Sequence, residues 1–499
     1  MGYVKIGKPE RFLAKLDKKQ SMQFFCFGTA SQPEVNAVNQ NDFWATTENE
    51  RGYSMNISPL TLAIIGVIVL LVLLFMGMNI GTCMFAVGFF GSWAVFLAKG
   101  LTIEKALNAA LIVFQKIPFT QATNYTFVVI PLFVLMGQLC YYSGMSAGLY
   151  NMCSKLLSNL KGGLAMATVA ACGCFGAICG SSAATAATMG VVALPEMKKH
   201  GYKDSLACGS IAAGGTLGIL IPPSTGFILY GIIAGESIGK LFAAGILPGI
   251  LLALCYCISI AIQVRVDPTL APNKVKGPLK EKIKSLPGGI PMVILFAVAI
   301  GGIMTGFFTA VEASAMGVFC AFLYMLYKRT FNWKVFKASL VETVKTSGMM
   351  FLILIGAYVF GNFLTVTGLP TALASFIGGL NVSRYIILLI ILIIYAVMGC
   401  LMDSLAMVLI TVPIFYPVMM QLDFNGIWYG VIMVMVMELG LITPPVGMNC
   451  YIVAGVAKGV PLWDIFKGVA PCLVGMVVAV FLVCAFPDIA LLIPNMLTI

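Results

Sequence analysis

Histidine occurs once in the 499 residues, at His200, and charged residues make up only 10% of the chain. Soluble domains carry about 25% charged residues, so an ordinary water-facing surface is excluded. The lone histidine lies in the basic loop KKHGYK, which rules out catalysis built on an imidazole base. No C-x-x-C pair occurs among the 15 cysteines, and most of them lie inside apolar runs. That pattern argues against a zinc cage or a disulfide framework, and the thiols read as small apolar membrane residues. A G-x-x-x-x-G-K-[ST] phosphate loop is also missing, so the chain carries no ATP-binding engine of that kind.

Apolar residues are what the sequence has in abundance: 60% of the chain, with a mean hydropathy of +0.99. The class is an all-α polytopic membrane protein with roughly ten to twelve crossings at about 20 residues each. The net charge of +11 sits in short loops and an N-terminal arm. It reports loop topology rather than a nucleic-acid partner, and membrane lipids are the surroundings.

Residues 1–54 differ from the rest. Lys5, Lys8, Arg11, Lys15, Lys18 and Lys19 make a basic arm, followed by a polar stretch to Arg51. No signal-peptide pattern is present. The segment reads either as a cytoplasmic basic tail or, the reading preferred here, as an extension upstream of a native start at Met55, ahead of the main domain, residues 55–499. The segment 99–119 is amphipathic and reads as an interfacial helix.

Two apolar runs, 163–195 and 385–421, are too long for one crossing of about 20 residues. The first reads as a re-entrant hairpin, and the second as a span followed by a hairpin over about 398–421. Each is followed by a helix that must break. The first, over about 206–234, contains GGTLGILIPPSTGFILYG (Gly214 to Gly231); the second, over about 427–456, contains ELGLITPPVG (Glu438 to Gly447). A proline pair removes backbone donors and clashes with the preceding turn. In lipid, such breaks persist where protein packs on them or where an ion or substrate uses the freed groups.

The proline pairs start at Pro222 and Pro444, 222 residues apart. At the same offset Gly218 meets Gly440, Pro195 meets Pro417, Ala184 meets Ala406, Ser182 meets Ser404, and Ser181 falls opposite Asp403. This is an internal repeat. Lys198, Lys199 and Lys203, the connection 265–284 and the stretch 328–345 are basic, whereas 421–426 has no Lys or Arg. By the positive-inside rule the first hairpin enters from the cytoplasm and the second from the opposite side, so the repeat is inverted.

Sodium takes hard oxygen ligands. Unwound carbonyls near Gly218 and Gly440, with the side chains of Ser181, Ser182, Asp403, Ser404 and Thr443, are the candidate sodium ligands. Ser182, Thr185, Ser224, Thr225 and Asn449 are candidate donors to a substrate carboxylate, helped by half-helix N-termini. Arg265, Arg329 and Arg384 lie at span ends, so an arginine clamp at mid-membrane is not expected. The competing reading of each hydroxyl is a bond back to its own helix. Three acids, Glu312, Asp403 and Glu438, lie in or beside spans, where an ionisable group is a functional candidate. Glu312 reads equally as a helix cap. An intramembrane enzyme needs facing acids, and only Asp403 reads as buried.

YTFVVIPLFVLMG (Tyr125 to Gly137), CGSSAATAATMGVVALPEM, GTLGILIPPS, GFFTAVEASAMG and MELGLITPPVGMN occur in this order. Together they resemble the large membrane subunit of tripartite ATP-independent periplasmic (TRAP) transporters, from Met55 to the end. The resemblance implies an elevator-type secondary transporter, not an enzyme, in the bacterial inner membrane. It implies sodium as the coupling ion, no cofactor, and two partners: a small four-helix membrane subunit and an extracytoplasmic substrate-binding protein. Its substrates would be C4-dicarboxylates, sialic acid or related carboxylates and sulfonates. The competing expectation is a stand-alone sodium/dicarboxylate symporter of the same superfamily. On the resemblance, Ser181, Ser182 and Gly218 frame one sodium site and Asp403, Ser404 and Gly440 to Thr443 the other, with substrate near Ser224 and Asn449.

Overall fold

The computed structural model describes residues 57–272, 279–378 and 382–497; the expected extension and the start at Met55 lie outside them. All regular elements among the described residues are helical. The chain opens with α1 (Pro59–Phe75) and α2 (Ile80–Ala98), whose first turns are capped by Ser58 and Asn79. The amphipathic segment forms α3 (Ile103–Ala122), with Phe114 4.6 and 4.9 Å from Phe85 and Phe89 of α2.

The first repeat follows: α4 (Val129–Tyr142), α5 (Met145–Leu157), α6 (Gly163–Cys179), α7 (Ser182–Lys199), α8 (Asp204–Gly215), the single turn α9 (Leu217–Leu220), α10 (Thr225–Ala234) and α11 (Ile238–Val266). A linking segment holds α12 (Leu279–Ser285), α13 (Ile290–Met304) and α14 (Ala310–Tyr327). The second repeat contains α15 (Trp333–Thr367), α16 (Leu369–Gly378), α17 (Arg384–Gly399), α18 (Ser404–Gln421), α19 (Gly426–Leu441), α20 (Met448–Ala457) and α21 (Leu462–Ala485), and α22 (Asp488–Met496) closes the chain.

Element boundaries keep the 222-residue offset. α7 and α18 are both 18 residues long, starting at Ser182 and Ser404. α8 and α19 start at Asp204 and Gly426. The apolar run 385–421 holds two helices, α17 and α18, rather than a span followed by a separate hairpin. Its length is shared by two legs of one helix–turn–helix, as in α6 and α7. Apolar length alone does not say where such a run turns, because both legs are apolar throughout.

Burial follows from composition. Nearly every residue of α8 and α19 is buried, as expected of helices that are apolar all round. On α17, by contrast, Ile386, Leu389, Ile390, Ile393 and Val397 form an exposed stripe at helical spacing, a surface suited to hydrocarbon rather than water. Eight helices among the described residues are long and apolar enough to cross a membrane. Long-range ties act both within the second half and between the two halves. Trp428 of α19 donates its indole N–H to the Val483 carbonyl of α21 at 2.9 Å, and Tyr230 of α10 donates to the Gly426 carbonyl at 2.6 Å.

Candidate functional site

Each helix–turn–helix ends in a tip whose geometry comes from a few residues. At the first tip Gly180 ends α6 with φ +64°, a left-handed conformation that glycine adopts without a Cβ penalty. Ser181 then caps α7, its Oγ accepting the Ala184 N–H at 3.4 Å. At the second tip Asp403 caps α18, Oδ2 accepting the Leu405 N–H at 3.1 Å. The pairing of Ser181 with Asp403 at offset 222 is thus a pairing of N-caps, positions where both residue types are favoured.

The helices break behind these tips. In the first repeat the chain leaves helical geometry at Ile221 and re-enters at Thr225; Ser224 caps α10 by accepting the Phe227 N–H at 3.3 Å and donates to the Ile219 carbonyl. Gly218 lies inside the single turn α9 rather than in an unwound stretch. In the second repeat α19 stops at Leu441 and α20 starts after Gly447, φ +59°. Both Pro–Pro peptide bonds are cis. The exposure of the two breaks differs: Pro222 and Pro223 are buried, Pro444 and Pro445 exposed.

Tip and break are locked together in each repeat by glycine against glycine. A Cβ at Gly176 would lie 2.3 Å from Gly218 Cα, and one at Gly440 would lie 2.4 Å from Gly399 Cα. Thr225 adds a polar fastening, its Oγ1 donating to the Gly180 carbonyl at 2.6 Å.

Across the two repeats the junction is one carboxylate. Glu438 is fully buried, and its Oε1 accepts from Ser404 Oγ at 2.7 Å and from Ser182 Oγ at 3.2 Å. Ser182 and Ser404 are repeat equivalents, so one oxygen joins the second legs of both hairpins. At the two tips lies a cavity of about 540 Å³ lined by Ser181, Thr225 and Asp403, with Gln138 of α4 and Glu342 and Thr346 of α15. Lys and Arg are absent from its walls. It extends toward the end of α15 that carries Lys334, Lys337 and Lys345.

Of the expected ligands, Ser181, Thr225 and Asp403 meet at the cavity wall, and Ser182 and Ser404 meet on Glu438. Thr185 and Thr443 donate to carbonyls four residues back, Ser181 O at 2.7 Å and Leu439 O at 2.6 Å. Ser182, Thr185, Ser224 and Thr225 therefore already spend their protons on protein acceptors, which leaves their lone pairs for cations rather than their hydrogens for an anion. Asn449 lies outside the cavity wall, fully buried, with both amide atoms lacking a hydrogen-bond partner. Gly440 packs on Gly399. Glu312 is a cap: Thr309 and Glu312 form a reciprocal capping box at the start of α14. The buried acid is Glu438, while Asp403 is partly open to the cavity, the reverse of the expectation from sequence. The described residues hold no group of three His, Cys, Asp or Glu side chains able to bind a metal.

These features define an all-α membrane transporter built on an internal repeat. Solved structures share the fold. MtrF of Neisseria gonorrhoeae, described as one of a class of antimetabolite efflux pumps, gives a TM-score of 0.59 at 15% identity, over 87% of this chain and 96% of that one. The YdaH transporter of Alcanivorax borkumensis gives 0.53 at 14% identity, over 78% and 88%.

The chain belongs to the DctM component family of the tripartite ATP-independent periplasmic transporters, whose family model matches residues 67–489. It is 36% identical over 380 residues to the C4-dicarboxylate TRAP transporter large permease protein DctM of Pseudomonas aeruginosa, covering 76% of this chain and 88% of that protein. The sialic acid TRAP transporter large permease protein SiaM of Vibrio cholerae is 31% identical, with 75% and 87% covered. The isethionate TRAP transporter permease protein DctMQ of Oleidesulfovibrio alaskensis is also 31% identical, with 80% of this chain and 64% of that longer protein covered. The protein is a multi-pass bacterial membrane transport protein, not an enzyme.

Proposed function

We propose that this chain is the permease subunit of a sodium-coupled, binding-protein-dependent importer of small organic acids. The observation that carries the reading is the charge of the cavity. Its walls contribute the carboxyl groups of Asp403 and Glu342 and no Lys or Arg. An organic anion entering such a space is repelled unless cations enter with it. Sodium meets that need with the oxygens present: Ser181 and Ser182 beside Gly218 in one repeat, and Asp403, Ser404 and Thr443 beside Gly440 in the other. Each sodium entering down the membrane potential supplies roughly 2.3 kcal/mol per 100 mV, so uptake needs no ATP. Asn449 is then the donor left for the substrate, since no protein acceptor occupies it, while Thr185, Ser224 and Thr225, whose protons go to protein carbonyls, turn their lone pairs to the accompanying cations.

Movement follows the elevator pattern. The glycine contacts hold each hairpin to its broken helix, and Glu438 holds the two hairpins together. The four pieces would travel as one body past the remaining helices. A cavity leading to the lysine-bearing end of α15 fits a cytoplasm-facing position under the positive-inside rule. Substrate class follows the relatives: a C4-dicarboxylate, a sialic acid or a sulfonate such as isethionate. The two partners would be a separate small membrane subunit and an extracytoplasmic binding protein.

Reconstitution into proteoliposomes with an inward sodium gradient tests the partner requirement. Uptake is expected only when the small subunit and the loaded binding protein are both present. Accumulation by this chain alone would instead make it a stand-alone symporter.

A further inference from the structure

A second cavity, of about 430 Å³, opens on the face of α6 opposite the one at the tips. Its walls come from α5 (Leu149, Met152), α6, α11 and α13 (Met292 to Phe296), and every wall residue is apolar. Ile250, Leu254 and Val293 in its wall are 50, 55 and 59% exposed, so the groove opens sideways. An apolar space of this kind does not hold water. Its occupant comes from the hydrocarbon. From Ile246 to Cys257 the α11 wall rises about 17 Å at 1.5 Å per residue. That is about the depth of one leaflet, half of a core roughly 30 Å thick.

The lower end of the groove meets a basic helix. A Cβ at Gly239, near the start of α11, would stand 3.2 Å from Ile303, near the end of α13. With Met292 lining the groove beside the middle of α11, the two helices run antiparallel, and α13 begins about level with Leu252. Below that level the stretch Lys280–Gly288, which holds most of α12, bends off at 48°. Lys282 donates to the Leu156 carbonyl of α5 at 3.1 Å, and Glu281 pairs with Lys155 at 2.9 Å. Lys280 and Lys284, one turn apart, are exposed and have no ion-pair partner among the described residues. Ile283 beside them is 59% exposed. Exposed lysines with an exposed isoleucine suit the headgroup boundary, and anionic lipids of the cytoplasmic leaflet attract such charges.

We propose that the groove binds one acyl chain of an anionic phospholipid from the cytoplasmic leaflet, with its phosphate at Lys280 and Lys284. The seated chain touches the first break. Ile221, at the end of α9, lines the groove and is held between two helices. A Cβ at Gly249 would stand 2.6 Å from its Cγ1, and one at Gly173 3.1 Å from its Cδ1. The lipid thus supports the broken helix from the side away from the tip cavity, which makes transport sensitive to leaflet composition. Lipid binding here does not depend on the sodium-coupled reading.

The test places the complete chain in phosphatidylcholine nanodiscs containing phosphatidylglycerol with a diazirine on one acyl chain. Crosslinks mapped by peptide mass spectrometry are expected on residues 170–177, 246–257 and 292–296. Labelling there should fall about tenfold or more in the double variant Lys280→Gln/Lys284→Gln. It should also be lost in Ala253→Phe, which fills the groove, and in Cys174→Phe, which fills it from the opposite wall. Phosphatidylcholine carrying the same diazirine should label the groove far less. The wild-type map is read whether or not the variants fold. Equal labelling by the two lipids, or wild-type labelling spread evenly over the lipid-facing helices, overturns the proposal. So does undiminished labelling in a folded filling variant. Uptake by the complete transporter should rise several-fold when phosphatidylglycerol is added to phosphatidylcholine vesicles, in wild type and not in the lysine double variant. An equal response in both, or none, overturns the link to the break. A flux indifferent to sodium would overturn the coupled reading and leave the labelling result unchanged.

Discussion

Gly218→Val and Gly440→Val are each expected to abolish measurable transport. A Cβ at Gly218 would stand 2.5 Å from Thr185 Oγ1 and 2.8 Å from the Ser181 carbonyl, and one at Gly440 would stand 2.4 Å from Gly399 Cα. Backbone on the facing side cannot rotate away as a side-chain end can. The hairpin must therefore shift, at an overpacking cost of about 1–3 kcal/mol even before the second γ-methyl is accommodated. That shift moves Ser181 or Asp403 relative to the break behind it, and the oxygens proposed for each ion separate. Gly301→Ala and Gly455→Ala are the matched controls, since nothing lies within 4 Å of a Cβ at either position. Initial uptake rates in proteoliposomes, normalised to inserted protein, read the difference. Wild-type rates in both valine variants would contradict the close packing of tip on break.

Asp403→Asn and Ser182→Ala are expected to raise the sodium concentration for half-maximal uptake by about tenfold or more, the equivalent of roughly 1.4 kcal/mol. Asparagine caps helices as well as aspartate does, so the Leu405 N–H keeps an acceptor while the charge goes. Any loss of sodium affinity is then electrostatic rather than a consequence of fraying α18. Ser182→Ala removes one of the two donors to Glu438 and leaves Ser404 in place. Asp403→Ala, which loses the cap as well, should add a further destabilisation of about 1 kcal/mol, read as a lower unfolding temperature. Unchanged sodium dependence in Asp403→Asn and Ser182→Ala together would remove both residues from the ion sites.

The repeat could be read from the sequence because its markers are residues with backbone consequences. Proline pairs at 222 and 444 and glycines at 218 and 440 restrict what the chain can do locally, and their spacing survived into the helix boundaries, with α7 and α18 starting at Ser182 and Ser404. The hairpin within 385–421 was blurred because both legs are apolar and no Gly-Ser pair marks its turn; Cys400 to Asp403 carries it instead. Glu438 was visible as an acid in an apolar run, but its role as the meeting point of Ser182 and Ser404 is tertiary. It depends on partners 256 and 34 residues away. The same holds for the hydroxyls. Sequence counted Thr185, Ser224 and Thr225 as donors waiting for a substrate, and only the folded chain reveals that carbonyls of Ser181, Ile219 and Gly180 already take those protons. The cavity wall formed by Glu342 and Thr346 gave no signal, because in the sequence Glu342 sits in the basic stretch 328–345, read as a cytoplasmic loop, and Thr346 directly follows it.

The most direct test of the account is substrate accumulation in proteoliposomes holding the complete transporter, with sodium outside, sodium on both sides, or potassium replacing it. The account predicts accumulation above the external concentration only with the inward sodium gradient, increased further by an inside-negative potential. Accumulation to the same level with potassium alone, at the same pH and potential, would contradict it.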